Sequence, residues 1–305
     1  MIADRGLVVA TRPSALARRQ GEAVRRALEA HGIRVAPELR VIETAGDRTL
    51  GRPLPEIGGK GVFTVELEDA LRRGEVDLAV HSLKDLPIES PPGICVAAVP
   101  EREDARDVVV ARVGTALSEM RAGAVVGSSS LRRQAQLLAL RPDLRVEPIR
   151  GNVETRLRKV DEGRFDAAVL AAAGLLRLGL RDRITEWLSF EVMLPAPGQG
   201  ALGVQCREDD TRLVELLAQV DSAETRQAVE AERAFLEALG GGCSAPVGAY
   251  GRVEGGRLVL DGVVGSLDGT RILRLHGVGD PPKALGRRLA EQAIREGAQE
   301  LLAHA

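Results

Sequence analysis

The chain has 305 residues, of which 44% are hydrophobic and 28% are charged, and its formal net charge is −2. This length predicts two or three domains, and the near balance of charge excludes a protein that binds nucleic acid through a general basic field. Three cysteines are too few for a disulfide framework or a zinc site. The first residues lack a signal-peptide pattern and no apolar run is long enough to span a bilayer, so we expect a cytoplasmic protein that binds no membrane.

The first two-thirds of the sequence alternates between predicted strands and predicted helices. The pattern of apolar residues places strands at 6–10, 40–43, 77–80, 125–127, 146–149, 166–170 and 202–206. It places helices at 14–32, 63–71, 129–140 and 153–161. Two successive β-α-β-α-β patterns of this kind predict parallel sheets with right-handed crossovers.

One seven-residue segment occurs twice in similar form, as Gly-Glu-Val-Asp-Leu-Ala-Val at 74–80 and as Gly-Arg-Phe-Asp-Ala-Ala-Val at 163–169. We therefore predict two similar α/β lobes, with chain crossings at 101–104 and 194–200. The predicted bounds are 1–100 and 201–219 for lobe 1, and 105–194 for lobe 2. Two crossings predict hinged lobes with a cleft, which is a usual ligand site.

The remaining residues, 222–305, predict a small α+β domain. Its predicted elements are a helix at 222–239, strands at 247–253, 257–264 and 271–278, and a final helix at 282–303. Cys243 lies in this domain at the end of a run of three glycines, whereas Cys95 and Cys206 lie in apolar strand segments where cysteine acts as a small hydrophobe. A thiol on a glycine loop could carry a group covalently, and an ordinary loop cysteine is the alternative.

The two lobes differ in the residues that follow equivalent strands. The strand that ends at Val80 is followed by His-Ser-Leu-Lys-Asp, whereas Val169 is followed by Leu-Ala-Ala-Ala-Gly. Asp85 therefore corresponds to Gly174, and the fold does not require a polar residue at this place. Open α/β sheets bind ligands at the carboxyl ends of their strands. The alternative to a ligand site is a solvated turn with a local Lys–Asp pair.

Arginines recur near the amino-terminal turns of the predicted helices. They are Arg12, Arg132, Arg133, Arg150 and Arg156. A cation there has the wrong sign for the helix dipole, and the conflict disappears if an anion binds at the same turn. Their repetition in both lobes predicts a ligand with several carboxylates or phosphates, which guanidinium groups bind in bidentate fashion. An arginine-rich composition is the alternative explanation for any single one of them.

Two other features are less specific. The loop Gly58-Gly59-Lys60-Gly61 resembles a phosphate loop without the full Walker pattern, and a mobile lid explains it at least as well. The four histidines are scattered along the chain, which argues against a metal site.

Eight motifs taken together resemble the porphobilinogen deaminase family over essentially the whole chain. They are Ala10-Thr11-Arg12, Gly58-Gly59-Lys60-Gly61, His81-Ser82-Leu83-Lys84-Asp85, Glu101-Arg102-Glu103-Asp104, Ser129-Ser130-Leu131-Arg132-Arg133-Gln134, Arg150-Gly151-Asn152, Pro197-Gly198-Gln199-Gly200 and Gly241-Gly242-Cys243. Each motif alone is weak, but eight in order across all the predicted domains are very specific.

The resemblance implies the α/β class, with two lobes similar to periplasmic binding proteins and a small C-terminal α+β domain. It implies a monomeric transferase of tetrapyrrole and heme biosynthesis. Such an enzyme deaminates porphobilinogen, joins four units head to tail on an enzyme-bound dipyrromethane, and releases hydroxymethylbilane by hydrolysis. The dipyrromethane cofactor is itself made from the substrate and would be attached to Cys243 by a thioether bond.

The resemblance also implies roles for individual residues. Asp85 matches the catalytic carboxylate. The expected cofactor contacts, apart from Cys243, are Ser82, Lys84, Ser128, Ser129, Ser130, Arg132, Arg133 and Gln199. The expected contacts to porphobilinogen and the growing chain are Arg12, Ser14, Gln20, Lys60, Arg150, Arg156 and Arg177. Glu56 and Gly240 depart from residues common in the family.

The chemistry of the substrate agrees with these residue types. Each pyrrole carries an acetate and a propionate, and arginines balance that charge. Loss of ammonia leaves an electron-poor cation, which a carboxylate stabilises. At an effective dielectric of about 20, two charges roughly 4 Å apart interact by about 4 kcal/mol, on the order of a thousandfold in rate.

A rival hypothesis is a two-lobed anion-binding or effector-sensing protein. The sequence has neither an export signal nor a helix-turn-helix, and this hypothesis gives Cys243 no role.

Overall fold

The computed structural model of the protein describes residues 6–48, 62–241 and 245–303. The chain divides into two compact units, unit 1 with residues 1–102 and 201–225, and unit 2 with residues 103–200 and 226–305. Unit 1 contains one five-stranded sheet. Unit 2 contains a second five-stranded sheet and a three-stranded sheet.

The strands and helices are numbered in chain order. The strands are β1 (Val9–Thr11), β2 (Arg40–Val41), β3 (Leu78–Ser82), β4 (Ile94–Ala98), β5 (Asp107–Ala111), β6 (Val125–Gly127), β7 (Arg145–Glu147), β8 (Ala167–Ala171), β9 (Glu186–Trp187), β10 (Leu202–Arg207), β11 (Val247–Glu254), β12 (Arg257–Gly265) and β13 (Ile272–Val278). The helices are α1 (Ala15–Ala30), α2 (Ala45–Arg48), α3 (Val65–Arg72), α4 (Leu131–Leu140), α5 (Val153–Asp161), α6 (Ala172–Arg177), α7 (Thr211–Leu217), α8 (Ala223–Ala238), α9 (Pro282–Arg295) and α10 (Ala298–Ala303).

The sheet of unit 1 has the strand order β2-β1-β3-β10-β4. β1 is parallel to β2 and β3, but β10 is antiparallel to both β3 and β4. The parallel pattern predicted for β1, β2 and β3 is confirmed, and β4 has the direction of β3, so one strand of the five, β10, runs in the opposite direction. The reason is the point of re-entry: residue 201 lies beside the carboxyl end of β3, where its carbonyl accepts from the Leu83 N–H, so the chain must run back along that strand.

Apolar residues cover both faces of this sheet. One cluster includes Val24 and Leu28 of α1 together with Val80 of β3. The other includes Leu67 of α3 together with Ala79 of β3. Because alternate residues of a strand point to opposite faces, α1 and α3 cover opposite sides of β3.

The five-stranded sheet of unit 2 repeats this arrangement with the order β7-β6-β8-β5-β9. β6 is parallel to β7 and β8, whereas β5 is antiparallel to β8 and β9. The two repeated sequence segments also make the same contact. Asp77 accepts the Val8 N–H at 2.7 Å, and Asp166 accepts the Val125 N–H at 2.8 Å. The prediction of two similar α/β lobes is confirmed.

The third sheet is an antiparallel meander of β11, β12 and β13. Glycines in its strands leave room for helix side chains, because a Cβ at Gly262 would lie 2.7 Å from the ring of Phe235 in α8 and a Cβ at Gly277 would lie 3.0 Å from Leu289 in α9. The predicted final helix is in fact two helices, since Gly297 has a φ of +94° that ends the first. The predicted small α+β domain is confirmed.

Within the described part of the chain, no helix combines the length and the apolar character that crossing a membrane requires.

Candidate active site

Asp85 lies on a well-anchored turn at the carboxyl end of β3. The chain makes one 3-10 turn from Leu83 to Asp85 directly after the strand. Leu83 and Leu86 are buried on either side, and the Leu83 N–H donates to the Ala201 carbonyl at 3.0 Å. These contacts fix the turn but leave the Asp85 side chain exposed, with Lys84 half-buried beside it.

Asp85 also lines a pocket in unit 1 whose surface is mostly polar. Its polar lining includes Arg12, Ser14, Gln20, Thr64, His81 and Ser82. The pocket therefore brings together five of the residues predicted from the sequence, from two separate segments of the chain. It also contains two polar residues, Thr64 and His81, to which the sequence analysis gave no role.

Two hydrogen bonds fix the helix side of this pocket. Ser14 is the N-cap of α1, and its Oγ accepts the Ala17 N–H at 3.2 Å. Gln20 is buried, and its Nε2 donates to the Ser82 Oγ at 2.8 Å. The first two turns of α1 are thereby tied to the end of β3.

Arg12 is paired within the pocket region. Its Nη2 lies 2.5 Å from the Asp47 Oδ1, and its guanidinium carbon lies 4.2 Å from the centre of the Phe63 ring. Burial acts to raise the pKa of Asp47, but the hydrogen bonds from Arg12 and Thr44 hold that pKa below its usual value. Asp47 is an acidic partner that the sequence analysis did not identify.

In unit 2, three consecutive serines form the turn between β6 and α4. Ser130 is the N-cap of α4, and its Oγ accepts the Arg133 N–H at 3.4 Å. The Ser128 Oγ accepts the Ser130 N–H at 3.2 Å, and the Ser129 Oγ donates to the Ile149 carbonyl at 2.9 Å. All three hydroxyl groups therefore stabilise the turn itself.

Arg132 and Arg133 are buried and share one carboxylate. Each lies 2.6 Å from an oxygen of Asp107, which is itself fully buried at the start of β5. Arg132 also donates to the Leu194 carbonyl, and Arg133 donates to the Val169 carbonyl. The anion predicted at this helix terminus is thus present within the protein, as Asp107.

The charges in this cluster determine the ionisation of Asp107. Burial acts to raise the pKa of its carboxyl, but Arg132 and Arg133 hold that pKa far below the usual range. Gln199 joins the same cluster, because its Nε2 donates to the Asp107 Oδ1 at 2.9 Å and to the Ala105 carbonyl at 2.8 Å. Gln199 is fully buried, so the predicted cofactor residues Arg132, Arg133 and Gln199 are brought together around one anion.

The three other predicted arginines of unit 2 differ in their contacts. The Arg156 Nε donates to the Gly151 carbonyl at 2.8 Å, and the Arg177 Nη2 donates to the Gly200 carbonyl at 2.7 Å. Burial lowers the pKa of Arg177, while the charge of Glu103 opposes the change. Arg150 is half-buried, and its guanidinium has no hydrogen-bond or ion-pair partner among the residues that the structure describes.

Cys243 and Lys60 lie outside the described residues. The other two cysteines face each other across β4 and β10, with 3.9 Å between the Sγ atoms of Cys95 and Cys206. Burial raises the pKa of Cys206 to about 12, and the neighbouring thiol adds to the effect. A thiol with such a pKa is a poor nucleophile at neutral pH. Gly240 ends α8 with a φ of +68°, a conformation that suits glycine better than the residue common in the family.

A larger cavity of about 490 Å³ lies elsewhere in unit 1. It is lined by β2 and α3, with Arg40, Glu43, Glu66 and Asp69 among its residues. None of the predicted site residues that the structure describes lines it, and its mixed charges favour no particular ligand. In 6–48, 62–241 and 245–303, no three acidic, histidine or cysteine residues form a group that could hold a metal ion.

The chain is a mixed α/β protein with two similar lobes. In each unit, polar and basic side chains lie near the carboxyl ends of strands, where open α/β sheets bind ligands. The solved periplasmic VFT2 domain of BvgS from Bordetella pertussis is similar over 72% of this chain and 88% of that chain, with 16% identity and a TM-score of 0.41.

Comparison with known families is more specific. Residues 7–215 match the model for the porphobilinogen deaminase dipyromethane cofactor binding domain, and residues 226–295 match the model for the C-terminal domain of the same family. The chain is 54% identical over 301 residues to the porphobilinogen deaminase of Desulforudis audaxviator, and the aligned residues cover 98% of this chain and 97% of that relative. It is 51% identical over 300 residues to that of Roseiflexus castenholzii, covering 97% of this chain and 98% of the relative. The chain belongs to the porphobilinogen deaminase family.

Family membership makes the chain a transferase of tetrapyrrole biosynthesis with a dipyrromethane cofactor. Each unit contains residue types that fit such a group. Dipyrromethane carries carboxylates and pyrrole N–H groups, so it needs cations and at least one acceptor. Arg150 and Arg177 have no carboxylate within ion-pair distance among the described residues, and Asp85 is an exposed acceptor.

Proposed function

We propose that this protein is a hydroxymethylbilane synthase that acts through Asp85. It removes ammonia from porphobilinogen, joins four units head to tail, and releases the linear tetrapyrrole with water. The observation that carries the residue-level proposal is the exposed carboxylate on the anchored turn after β3. At the equivalent place in unit 2, helix α6 has Gly174. The 54% identity with a porphobilinogen deaminase over nearly the full length supports the activity.

Asp85 acts by charge. When ammonia leaves porphobilinogen, positive charge develops on the pyrrole and its methylene carbon, and a fixed carboxylate stabilises that charge without having to reorganise. Leu83 and Leu86 hold the carboxylate in place. Asp85 can also accept a proton from the pyrrole that attacks.

The substrate carboxylates are bound by the basic and polar residues of the site. In unit 1 these are Arg12, Ser14 and Gln20, all in the polar pocket. In unit 2 they are Arg150, Arg156 and Arg177. Lys60 is included on the sequence motif alone. Arg150 is the strongest member of this set, because its charge is not balanced by any described residue.

The cofactor supplies the free pyrrole end on which the chain is extended. Cys243 is proposed as its point of attachment, since the other two cysteines lie in strands and the pKa of Cys206 is raised to about 12 by burial. Lys84 and Ser82 are proposed contacts in unit 1. Ser128, Ser129, Ser130, Arg132, Arg133 and Gln199 are proposed contacts in unit 2. Arg132 and Arg133 both pair with Asp107, which favours a role for these two arginines in holding the serine turn.

A cytoplasmic location and a monomeric state complete the proposal. Both come from the sequence, and light scattering on the purified protein would test the second. A mass of one chain in solution is the expected result, and a dimer mass would contradict it.

The Asp85→Asn variant tests the function most directly at one residue. Removing the charge while keeping the shape should lower the rate of porphobilinogen consumption by about a thousandfold. Glu89→Gln is the matched control, because Glu89 is an exposed acid four residues along the same loop and has no proposed role. Near-normal turnover in Asp85→Asn, measured on protein with an unchanged thermal midpoint, would remove Asp85 from the mechanism.

A further inference from the structure

His81 is a buried polar residue that the reaction described above does not use. It lies at the end of β3, four residues before Asp85, and is only 5% exposed. It nevertheless belongs to the lining of the unit 1 pocket. Each ring nitrogen of a buried imidazole is expected to have a hydrogen-bond partner.

A chain of buried polar groups leads away from His81 into unit 1. Gln205 on β10 pairs with Ala79, two residues before His81 on the neighbouring strand, so the two side chains lie on the same face of the sheet. Gln205 is 1% exposed, and its Nε2 donates to the Glu68 Oε1 of α3 at 3.2 Å. Glu68 is 5% exposed.

The orientation of the amide determines what it offers to His81. Since the Gln205 Nε2 donates to Glu68, its Oε1 is the atom left for another neighbour. This Oε1 and the His81 Nε2 are both sealed from solvent, and neither has a hydrogen-bond partner among the described residues. An amide oxygen only accepts, so these two unpartnered atoms are complementary when the proton is on Nε2.

The ring is also neutral. Burial lowers the pKa of His81 to about 4, and the charge of Arg12 also lowers it, while the neighbouring Gln205 side chain opposes both effects. A neutral imidazole has one N–H and one lone pair. With the proton on Nε2, the lone pair is on Nδ1.

We propose that His81 is a hydrogen-bond acceptor for the pyrrole N–H of the substrate, held in one tautomer by Gln205 and Glu68. The proposal rests on the proposed function, because it takes the ligand of the pocket to be a pyrrole. Porphobilinogen presents carboxylates to the arginines and a ring N–H that needs an acceptor, and the acceptors in the lining of the pocket include the Asp85 carboxylate and the imidazole. His81 would thus select a pyrrole over a ring that lacks the N–H.

The test is a comparison of two ligands on the holoenzyme. One is a pyrrole that bears acetate and propionate but no aminomethyl group, so that it cannot react. The other is its furan counterpart, in which oxygen replaces the ring N–H. The ratio of their dissociation constants, measured by titration calorimetry, shows how much the ring N–H contributes to binding. A variant that weakens the binding of both ligands equally leaves this ratio unchanged.

The wild-type protein should prefer the pyrrole, and His81→Leu should reduce the preference roughly fivefold, the value of one net hydrogen bond. His81→Asn places an amide near the position of Nδ1 and should keep part of the preference. Gln205→Leu should also reduce it, because Nε2 then loses the acceptor that fixes the tautomer. Cys206→Ala is the control, since Cys206 belongs to the apolar cluster on the other face of the same strand and the ratio should not change.

An unchanged ratio in His81→Leu that unfolds at the wild-type temperature would overturn the proposal, as would a Gln205→Leu variant with the full preference. If His81→Leu does not fold, His81→Asn and Gln205→Leu still decide the matter. A wild-type protein that binds neither ligand would instead contradict the proposed function itself.

Discussion

One buried carboxylate, Asp107, pairs with two adjacent arginines at the start of α4. Asp107 is fully buried, and the side chains of Arg132 and Arg133 are 3% and 8% exposed. Removing a charged group from water costs free energy, so buried charged groups are found where they are paired. Removing the single anion would leave two buried cations together, so this residue should be among the most sensitive in the protein.

We therefore expect Asp107→Asn to lower the free energy of unfolding by about 3–5 kcal/mol, measured by chemical denaturation. Asp104→Asn is the matched control, because Asp104 pairs with the partly exposed Arg106 at 2.6 Å and such pairs contribute about 0–1 kcal/mol. Equal losses of unfolding free energy in Asp107→Asn and Asp104→Asn would contradict the stabilising role of Asp107.

The same carboxylate gives an expected pH dependence. Its pKa in the folded state lies far below the usual value, so its contribution to stability is complete above the pKa of the unfolded carboxyl, about 4. It is lost as the pH falls through the lower folded value. The difference in unfolding free energy between the wild type and Asp107→Asn should be constant from about pH 7 to pH 5 and should narrow below about pH 4. A difference that grows on acidification would have the wrong sign.

Arg150 is a half-buried arginine whose positive charge is proposed to bind the carboxylates of the substrate. No described residue balances its guanidinium, so Arg150→Leu should cost little stability but should stall chain elongation. Mass spectra of the enzyme incubated with porphobilinogen should then show trapped partial chains. Arg145→Leu removes an exposed arginine paired with Glu147 at 3.0 Å, and full-length product at the normal rate is expected from it. The absence of trapped chains in Arg150→Leu would remove this arginine from the substrate set.

At the scale of elements, the turn between β12 and β13 fixes the helix that carries Arg132 and Arg133. Gln134 of α4 donates to the Leu267 carbonyl in this turn at 3.2 Å. Gly269 lies so close to the helix that a Cβ there would be 2.3 Å from the backbone nitrogen of Ala139. The turn and the helix therefore fit together only with glycine at this position.

Gly269→Ala should be more destabilising than Gly256→Ala. Both glycines have a positive φ, +72° and +76°, and each substitution costs about 1 kcal/mol in backbone strain. Gly256 has no atom within 4 Å of the added Cβ, whereas Gly269 adds a clash worth about 1–3 kcal/mol. Thermal unfolding of the two variants measures the difference, and equal midpoints would mean that the turn is free to move away from α4.

Local patterns in the sequence are sufficient to predict many of these elements. The bounds of α5 are those predicted, since Asn152 caps it and Glu162 follows its last apolar turn. Ser14 was likewise the predicted start of α1 and is its N-cap. Each of these features depends on residues within one or two turns of the chain.

Features that depend on distant residues could not be predicted in this way. The antiparallel direction of β10 and β5 depends on where the chain re-enters each sheet, and no local periodicity records it. The same is true of the partner for Arg132, because Asp107 is 25 residues away. The sequence signal for this ion pair is that Asp107 directly precedes the apolar run Val108-Val109-Val110. Of the site, the Asp85 turn and the serine turn were found from sequence, and the ion pairs around them were not.

The proposed activity of the whole protein depends on a cofactor that the chain is proposed to carry permanently. Cys95 and Cys206 lie across from each other in the sheet of unit 1, and the raised pKa of Cys206 makes its thiol unreactive. A thioether needs a thiolate that can meet an electrophilic methylene carbon, so the glycine-rich segment around Cys243 is the place proposed for the cofactor.

The intact mass of the purified protein tests this claim most directly. The mass should exceed that of the sequence by two porphobilinogen units less two molecules of ammonia, and peptide mapping should place the addition on the peptide with Cys243. Cys243→Ser should lack both the addition and the activity, whereas Cys95→Ala and Cys206→Ala should retain both. An unmodified mass in fully active protein, or an addition on Cys95 or Cys206, would contradict the account.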